Sequence, residues 1–169
     1  ARGLHLRPLE GEIALPARAG GSDADSLARP NLRECGDVTV LDFGIESAEQ
    51  PRPYFEQAPK VAEAIQDGRA THGILICGTG QGMAIVANKH KGVYACVVDD
   101  LFSAERAKIV NNANVITLGG WITAPFLGAQ IVDAWLSMQF TQKMEFKREF
   151  LANAFHQVQV LEEKNFKDA

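Results

Sequence analysis

Short apolar runs alternate along this chain with longer stretches in which apolar residues recur at helical spacing, and few folds accommodate that alternation. Residues 13–17, 38–43, 73–77, 93–98 and 115–118 read as strands. Residues 55–66, 82–89, 103–110 and 124–140 read as helices, with Gly68 and Gly92 following two of them as stop signals. Strands separated by helices pair in parallel, because parallel neighbours need crossovers and right-handed crossovers lay helices on the sheet faces. The pattern predicts an α/β fold: a three-layer α/β/α sandwich around a five-stranded parallel sheet, Rossmann-like, with a C-terminal extension helix. Residues 1–11 carry no periodic pattern and are expected to be a flexible lead. Residues 12–142 form the predicted α/β/α domain. The charged run at 143–169 reads as a helix with Phe146, Phe150, Phe155, Val158 and Leu161 along one side, suited to packing on a partner subunit. Residues 20–35 fill the place of a first crossover helix, but Gly21 and Pro30 predict a loop and a shortened helix there.

Length and charge bound the function. The chain has 169 residues, 46% of them hydrophobic and 22% charged, enough for one domain with its own core. A net charge of −4 with scattered Lys and Arg argues against nucleic acid as a partner. No apolar run approaches the roughly 20 residues of a membrane span, and the N-terminus lacks the apolar stretch of a secretion signal, so a cytoplasmic protein without membrane contact is expected. Cys35, Cys77 and Cys96 form neither an even set nor a CxxC pair, which disfavours a disulfide framework or a zinc ribbon.

The stretch HGILICGTGQGMAIVANK, residues 72–89, concentrates the chemistry. It places Cys77 at the end of a buried strand and follows it with Gly78, Gly80 and Gly82 before a helix begins. In open α/β sheets ligands bind in the crevice outside the carboxyl ends of the strands. Asp99 and Asp100 after the fourth strand and Gly119 to Trp121 after the fifth belong to the same edge. A phosphatase-type cysteine loop would need an arginine six residues on, where this chain has Met83. A dinucleotide fingerprint fits Gly78, Gly80 and the distance to Asp99 and Asp100, but its third glycine would also be Met83, which leaves a dinucleotide-binding protein as a weaker alternative. Proton transfer next to a carbonyl fits better: a thiolate is favoured at the positive end of a helix, so Cys77 can act as a base, and the amides of residues 78–82 can hold the enediolate oxygen that forms. Against this stands the plain alternative that Cys77 is a small buried hydrophobe and the glycines only close a turn.

The wider stretch resembles the family of ribose-5-phosphate isomerase type B and galactose-6-phosphate isomerase. The likeness begins with LDFG and YFEQAPKVAEAI, runs through the cysteine–glycine loop, and continues through GVYACVVDDLFSAERAKIVNNANVITLGG and IVDAWL. It implies a metal-free aldose–ketose isomerase, without cofactor, working through a cis-enediolate on a sugar phosphate or a related sugar. By this likeness Cys77 is the base, Thr79 a hydroxyl in the same loop, and Gly78, Gly80, Gln81 and Gly82 the substrate-holding loop. Asn111 matches a substrate-binding asparagine, and Tyr54 a tyrosine whose preceding aspartate is replaced by Pro53. A homodimer or dimer of dimers with the active site near the subunit interface is implied, with His156, Lys143, Lys147 and Arg148 able to reach a neighbouring site.

The departures bear on the substrate. The family's first-loop aspartate and histidine correspond to Ala17 and Arg18, or after a shift to Asp23. Asp99 stands where many members have a ring-opening histidine and could do similar acid–base work. Trp121 stands where a phosphate-binding arginine is common, and an indole there would stack on a sugar face or close the pocket. Arg18, or Lys143, Lys147, Arg148 and His156 of the C-terminal run, are the candidates to bind phosphate in its place. A non-catalytic sugar-phosphate-binding or partner subunit of the same family is the competing reading.

Overall fold

A computed structural model of the chain describes residues 11–15, 38–45 and 50–167. The strands are β1 (Gly11–Leu15), β2 (Val38–Asp42), β3 (His72–Cys77), β4 (Ala95–Val97) and β5 (Val115–Gly119). The helices are α1 (Tyr54–Gln66), α2 (Gln81–Ala87), α3 (Leu101–Ile109), α4 (Pro125–Leu136) and α5 (Arg148–Asn165), with a short 3₁₀ turn at Glu145–Lys147. Every strand pairing is parallel, in the order β2-β1-β3-β5-β4. Strand β5 lies between β3 and β4, and its register sets Gly73 opposite Val115 and Cys77 opposite Gly119.

Side chains on β3 alternate between two cores, as the two-residue period of a strand requires. Ile74 and Ile76 join Ile116 and Leu118 of β5 beneath α3 and α4, where Ala104, Ala107, Ile131, Val132 and Trp135 close the layer. Leu75 and Cys77 point the other way, joining Val115 against Ala58, Val61, Ala62 and Ala64 of α1 and Met83 and Ala87 of α2. Helices thus cover both faces of a parallel sheet.

The order of the strands fixes where a ligand can sit. From β1 the chain moves to β2 on one side, and from β3 it moves to β5 and β4 on the other. The strand order reverses between β1 and β3, and in open α/β sheets ligands bind outside the carboxyl ends of the strands at such a point. Cys77 is the last residue of β3 and stands at that point.

Local signals explain most boundaries. Gly68 and Gly92 carry φ of 72° and 78°, left-handed values that end the preceding turns. Asp100 caps α3 in a reciprocal box, accepting the Ser103 amide at 2.8 Å while the Ser103 hydroxyl accepts the Asp100 amide. Pro125 opens α4 in its first turn. The long C-terminal run divides: the 3₁₀ turn comes first, and α5 starts only at Arg148. Its docking face on its own chain is Leu151, Phe155 and Glu162. Glu162 accepts the Gly92 amide at 2.7 Å and the Tyr94 hydroxyl at 2.9 Å, while Phe155 meets Tyr94 edge-on at 5.0 Å. Phe150, Val158 and Leu161 lie on a neighbouring stripe, roughly 100° around the helix, and are exposed. The five apolar residues read as one side of this helix therefore split, because Phe155 turns to its own chain while the other four are exposed. None of the described helices is long and apolar enough to cross a membrane.

Candidate active site

The centre of the site is the loop from Cys77 to Gly82, and three close approaches explain its glycines. Gly80 has φ of 76°, and a Cβ there would lie 3.0 Å from the carbonyl carbon of Leu118. The residue must bend left-handed and rest on the main chain of β5, which only glycine does without strain. A Cβ on Gly78 would lie 2.8 Å from the Trp121 indole, and one on Gly82 would lie 2.9 Å from the Tyr54 ring. The two outer glycines are seats for two aromatic rings.

The middle of the loop presents donors. The Gly80 amide donates to the Cys77 sulfur at 3.1 Å. Helix α2 begins at Gln81 with no side-chain cap, and the Ala84 amide is the first to find a backbone partner, the Gly80 carbonyl. The amides of Gln81, Gly82 and Met83 are the unpaired donors of a helix start. Cys77 itself is 8% exposed and packs in the core cluster with Leu75 and Met83.

The turn after β5 is bolted to this loop. The Gly120 amide donates to the Cys77 carbonyl at 2.7 Å and the Trp121 amide to the Gly78 carbonyl at 3.0 Å. Within one chain the structure therefore gathers Cys77, Gly78, Thr79, Gly80, Gln81, Gly82, Tyr54 and Trp121. Thr79 is half-buried, its main chain 3.1 Å from where a Cβ on Gly119 would stand. Gln81 is exposed at the head of α2. Asp99 follows β4 at the same edge and is exposed, but β5 intervenes, so two strand spacings, about 10 Å, separate the two strand ends.

Two candidates lie elsewhere in the chain. Asn111 precedes β5, at the opposite end of the sheet from Cys77. It is exposed and hydrogen-bonded to the Cys96 thiol, whose burial pushes its titration upward against that bond. His156 is exposed on α5, away from both the docking face and the apolar stripe. Lys143 is engaged by Glu105 at 3.0 Å, and Lys147 lies 5.8 Å over the Phe146 ring. Arg18, with Ala17, Asp23 and Cys35, lies outside the described residues. Among the described residues no group of three His, Cys, Asp or Glu side chains gathers as a metal ion requires.

The seating of Trp121 and Tyr54 on Gly78 and Gly82 is what reading the sequence missed. Two glycines four apart in a loop, with two aromatic residues placed at distant points of the chain, are a visible signal only once the strand order is known.

Comparison with known proteins decides the family. A family profile described as Ribose/Galactose Isomerase matches residues 13–150. The chain belongs to the ribose/galactose isomerase family. It is 45% identical over 129 residues to a 4-deoxy-4-sulfo-D-erythrose isomerase of Clostridium sp. (strain MSTE9), covering 76% of this chain and 81% of that protein. It is 40% identical over 128 residues to a D-erythrulose-4-phosphate isomerase of Pectobacterium atrosepticum, covering 76% and 84%. The solved Clostridium thermocellum ribose-5-phosphate isomerase B superposes with a TM-score of 0.81 at 31% identity, over 91% of this chain and 99% of that one. Like these isomerases, the protein is an aldose–ketose isomerase, and the loop after β3 belongs to an isomerase domain.

Proposed function

We propose that Cys77 is the base that carries the proton between the first two carbons of the sugar. The thiolate takes the proton from the carbon beside the carbonyl, the electron pair moves to form the cis-enediolate, and the thiol, after exchanging its proton with water, returns a proton to the neighbouring carbon. The carbonyl and hydroxyl exchange places and no oxidant or reductant is consumed. The unpaired amides at the start of α2 hold the oxygen that gains charge. The observation that carries this reading is the 3.1 Å contact from the Gly80 amide to the Cys77 sulfur at the head of a helix with unpaired amides. Thr79 is assigned to the movement of the oxygen-bound protons, and Tyr54 and Trp121 to the walls of the site.

The substrate class follows from two relatives whose names carry a four-carbon sugar with an anionic group at the fourth carbon, one a sulfonate and one a phosphate. We assign this protein to the sulfonated four-carbon sugar, because the turn after β5 supplies an indole and no guanidinium to balance a dianion. The second copy of the chain is assigned the apolar stripe of α5, and through it Asn111 and His156 reach the neighbouring site.

The test is isotopic. Turnover in D2O should place deuterium on the carbon beside the carbonyl, and Cys77→Ala should lose both turnover and exchange while melting as a folded protein. Full activity in Cys77→Ala would remove Cys77 from the mechanism.

A further inference from the structure

The surface where the β3 loop meets the β5 turn carries two seated aromatic rings. Neither stretch lining it, residues 77–82 and 119–124, contains a Lys or Arg. The two rings differ. Tyr54 is 41% exposed and belongs to the first turn of α1, with Arg52 two residues before it. Trp121 is 80% exposed, although its position is fixed by its own amide bond to Gly78 and by the Gly120 bond to Cys77. A large apolar face is thus held open on Gly78, the residue that follows Cys77. Such a face is costly to leave in water and gains by covering the apolar part of a ligand.

We infer that the Trp121 indole, seated on Gly78, is the specificity-determining wall for the non-reacting end of the substrate, admitting a singly charged sulfonate in preference to a dianionic phosphate. This rests on the isomerase reading above and deepens it. A sulfonate carries one permanent negative charge, whereas a phosphate monoester carries between one and a half and two near neutral pH. Against a neutral ring the additional charge loses water without gaining a counter-ion from the β3 loop or the β5 turn, so this wall disfavours the dianion. A guanidinium at the same place would reverse that balance by bidentate pairing. The effect should fall on the complex with the anionic group in place and therefore on KM more than on the proton transfer itself.

The experiment compares kcat and KM for the sulfonated and the phosphorylated four-carbon sugars, with deuterium exchange followed in parallel. The wild type should favour the sulfonate by tenfold or more in kcat/KM. Trp121→Arg should shrink or invert that ratio by at least tenfold, chiefly by lowering KM for the phosphate, and Trp121→Phe should retain the wild-type preference. Gly78→Ala adds no charge but puts a Cβ into the ring, so it should displace the indole and narrow the ratio as well. Exchange retained with a ratio unchanged within twofold in both Trp121→Arg and Gly78→Ala would overturn the inference and leave the isomerase reading standing. Absence of exchange by the wild type on both sugars would overturn the reading beneath it.

Discussion

Gly80 shows how much a single backbone position can hold. Its left-handed φ and its 3.0 Å approach to Leu118 act together, whereas Gly68 and Gly92 have left-handed φ with open space around them. Alanine at Gly68 or Gly92 should therefore cost only the conformational term, about 1 kcal/mol. At Gly80 it should cost more, and it should also turn the amide away from Cys77 and depress turnover. Urea unfolding of the three variants checks the ordering; equal costs at all three positions would show that the contact with β5 carries no weight. His72 supplies a second test at this scale. It is held neutral, its titration pushed down to about 4 by burial first and then by the nearby Lys108 ammonium, whose nitrogen is 3.1 Å from Nε2. A depressed histidine contributes stability that is present above its ordinary value of 6.5 and is lost as pH falls toward 4. The gap in melting temperature between wild type and His72→Gln should accordingly narrow between pH 7 and pH 4. A constant gap would mean that His72 does not titrate in that window.

The elements were legible in proportion to how local their causes are. The runs around β3, α1, α3 and β5 could be read closely because period, caps and glycine stops all lie within the segment. Helix α1 keeps Pro59 inside it, at a position where proline removes a backbone bond, because Ala58, Val61, Ala62 and Ala64 are fully buried against the sheet. Helix α5 was less legible: its charged sequence gives no sign that Glu162 reaches the Gly92 amide and Tyr94, seventy residues away in the chain. The Tyr94 hydroxyl is consequently held protonated, its titration raised to about 12 by burial first and then by Glu162. Removing that donor in Tyr94→Phe should cost about 1–3 kcal/mol, since the lost bond is to a charged acceptor. Hydrogen exchange should localise the loss to α5 and to the turn at Gly92; protection unchanged there would mean the helix is anchored by Leu151 and Phe155 instead.

At the scale of the whole molecule, one chain brings together Cys77, the amides at the head of α2 and the Tyr54 and Trp121 rings, but it leaves Asn111 and His156 apart from them. The identity of the loop could be read from residues 72–89, whereas the seating of the rings could not, because it depends on β5 lying between β3 and β4. The apolar stripe of Phe150, Val158 and Leu161 is the surface assigned to the second copy. Phe150→Glu with Leu161→Glu should therefore convert the protein to a monomer in sedimentation velocity and lower turnover tenfold or more, with the melting of the isolated domain little changed. An unaltered sedimentation coefficient would place the contact elsewhere.

The account turns on a thiolate moving a proton at a carbon next to a carbonyl. Mass spectrometry of the product formed in D2O measures this most directly: deuterium should appear on that carbon with wild type and be absent with Cys77→Ala. A product free of deuterium from the wild type, or the same label from the alanine variant, would contradict it.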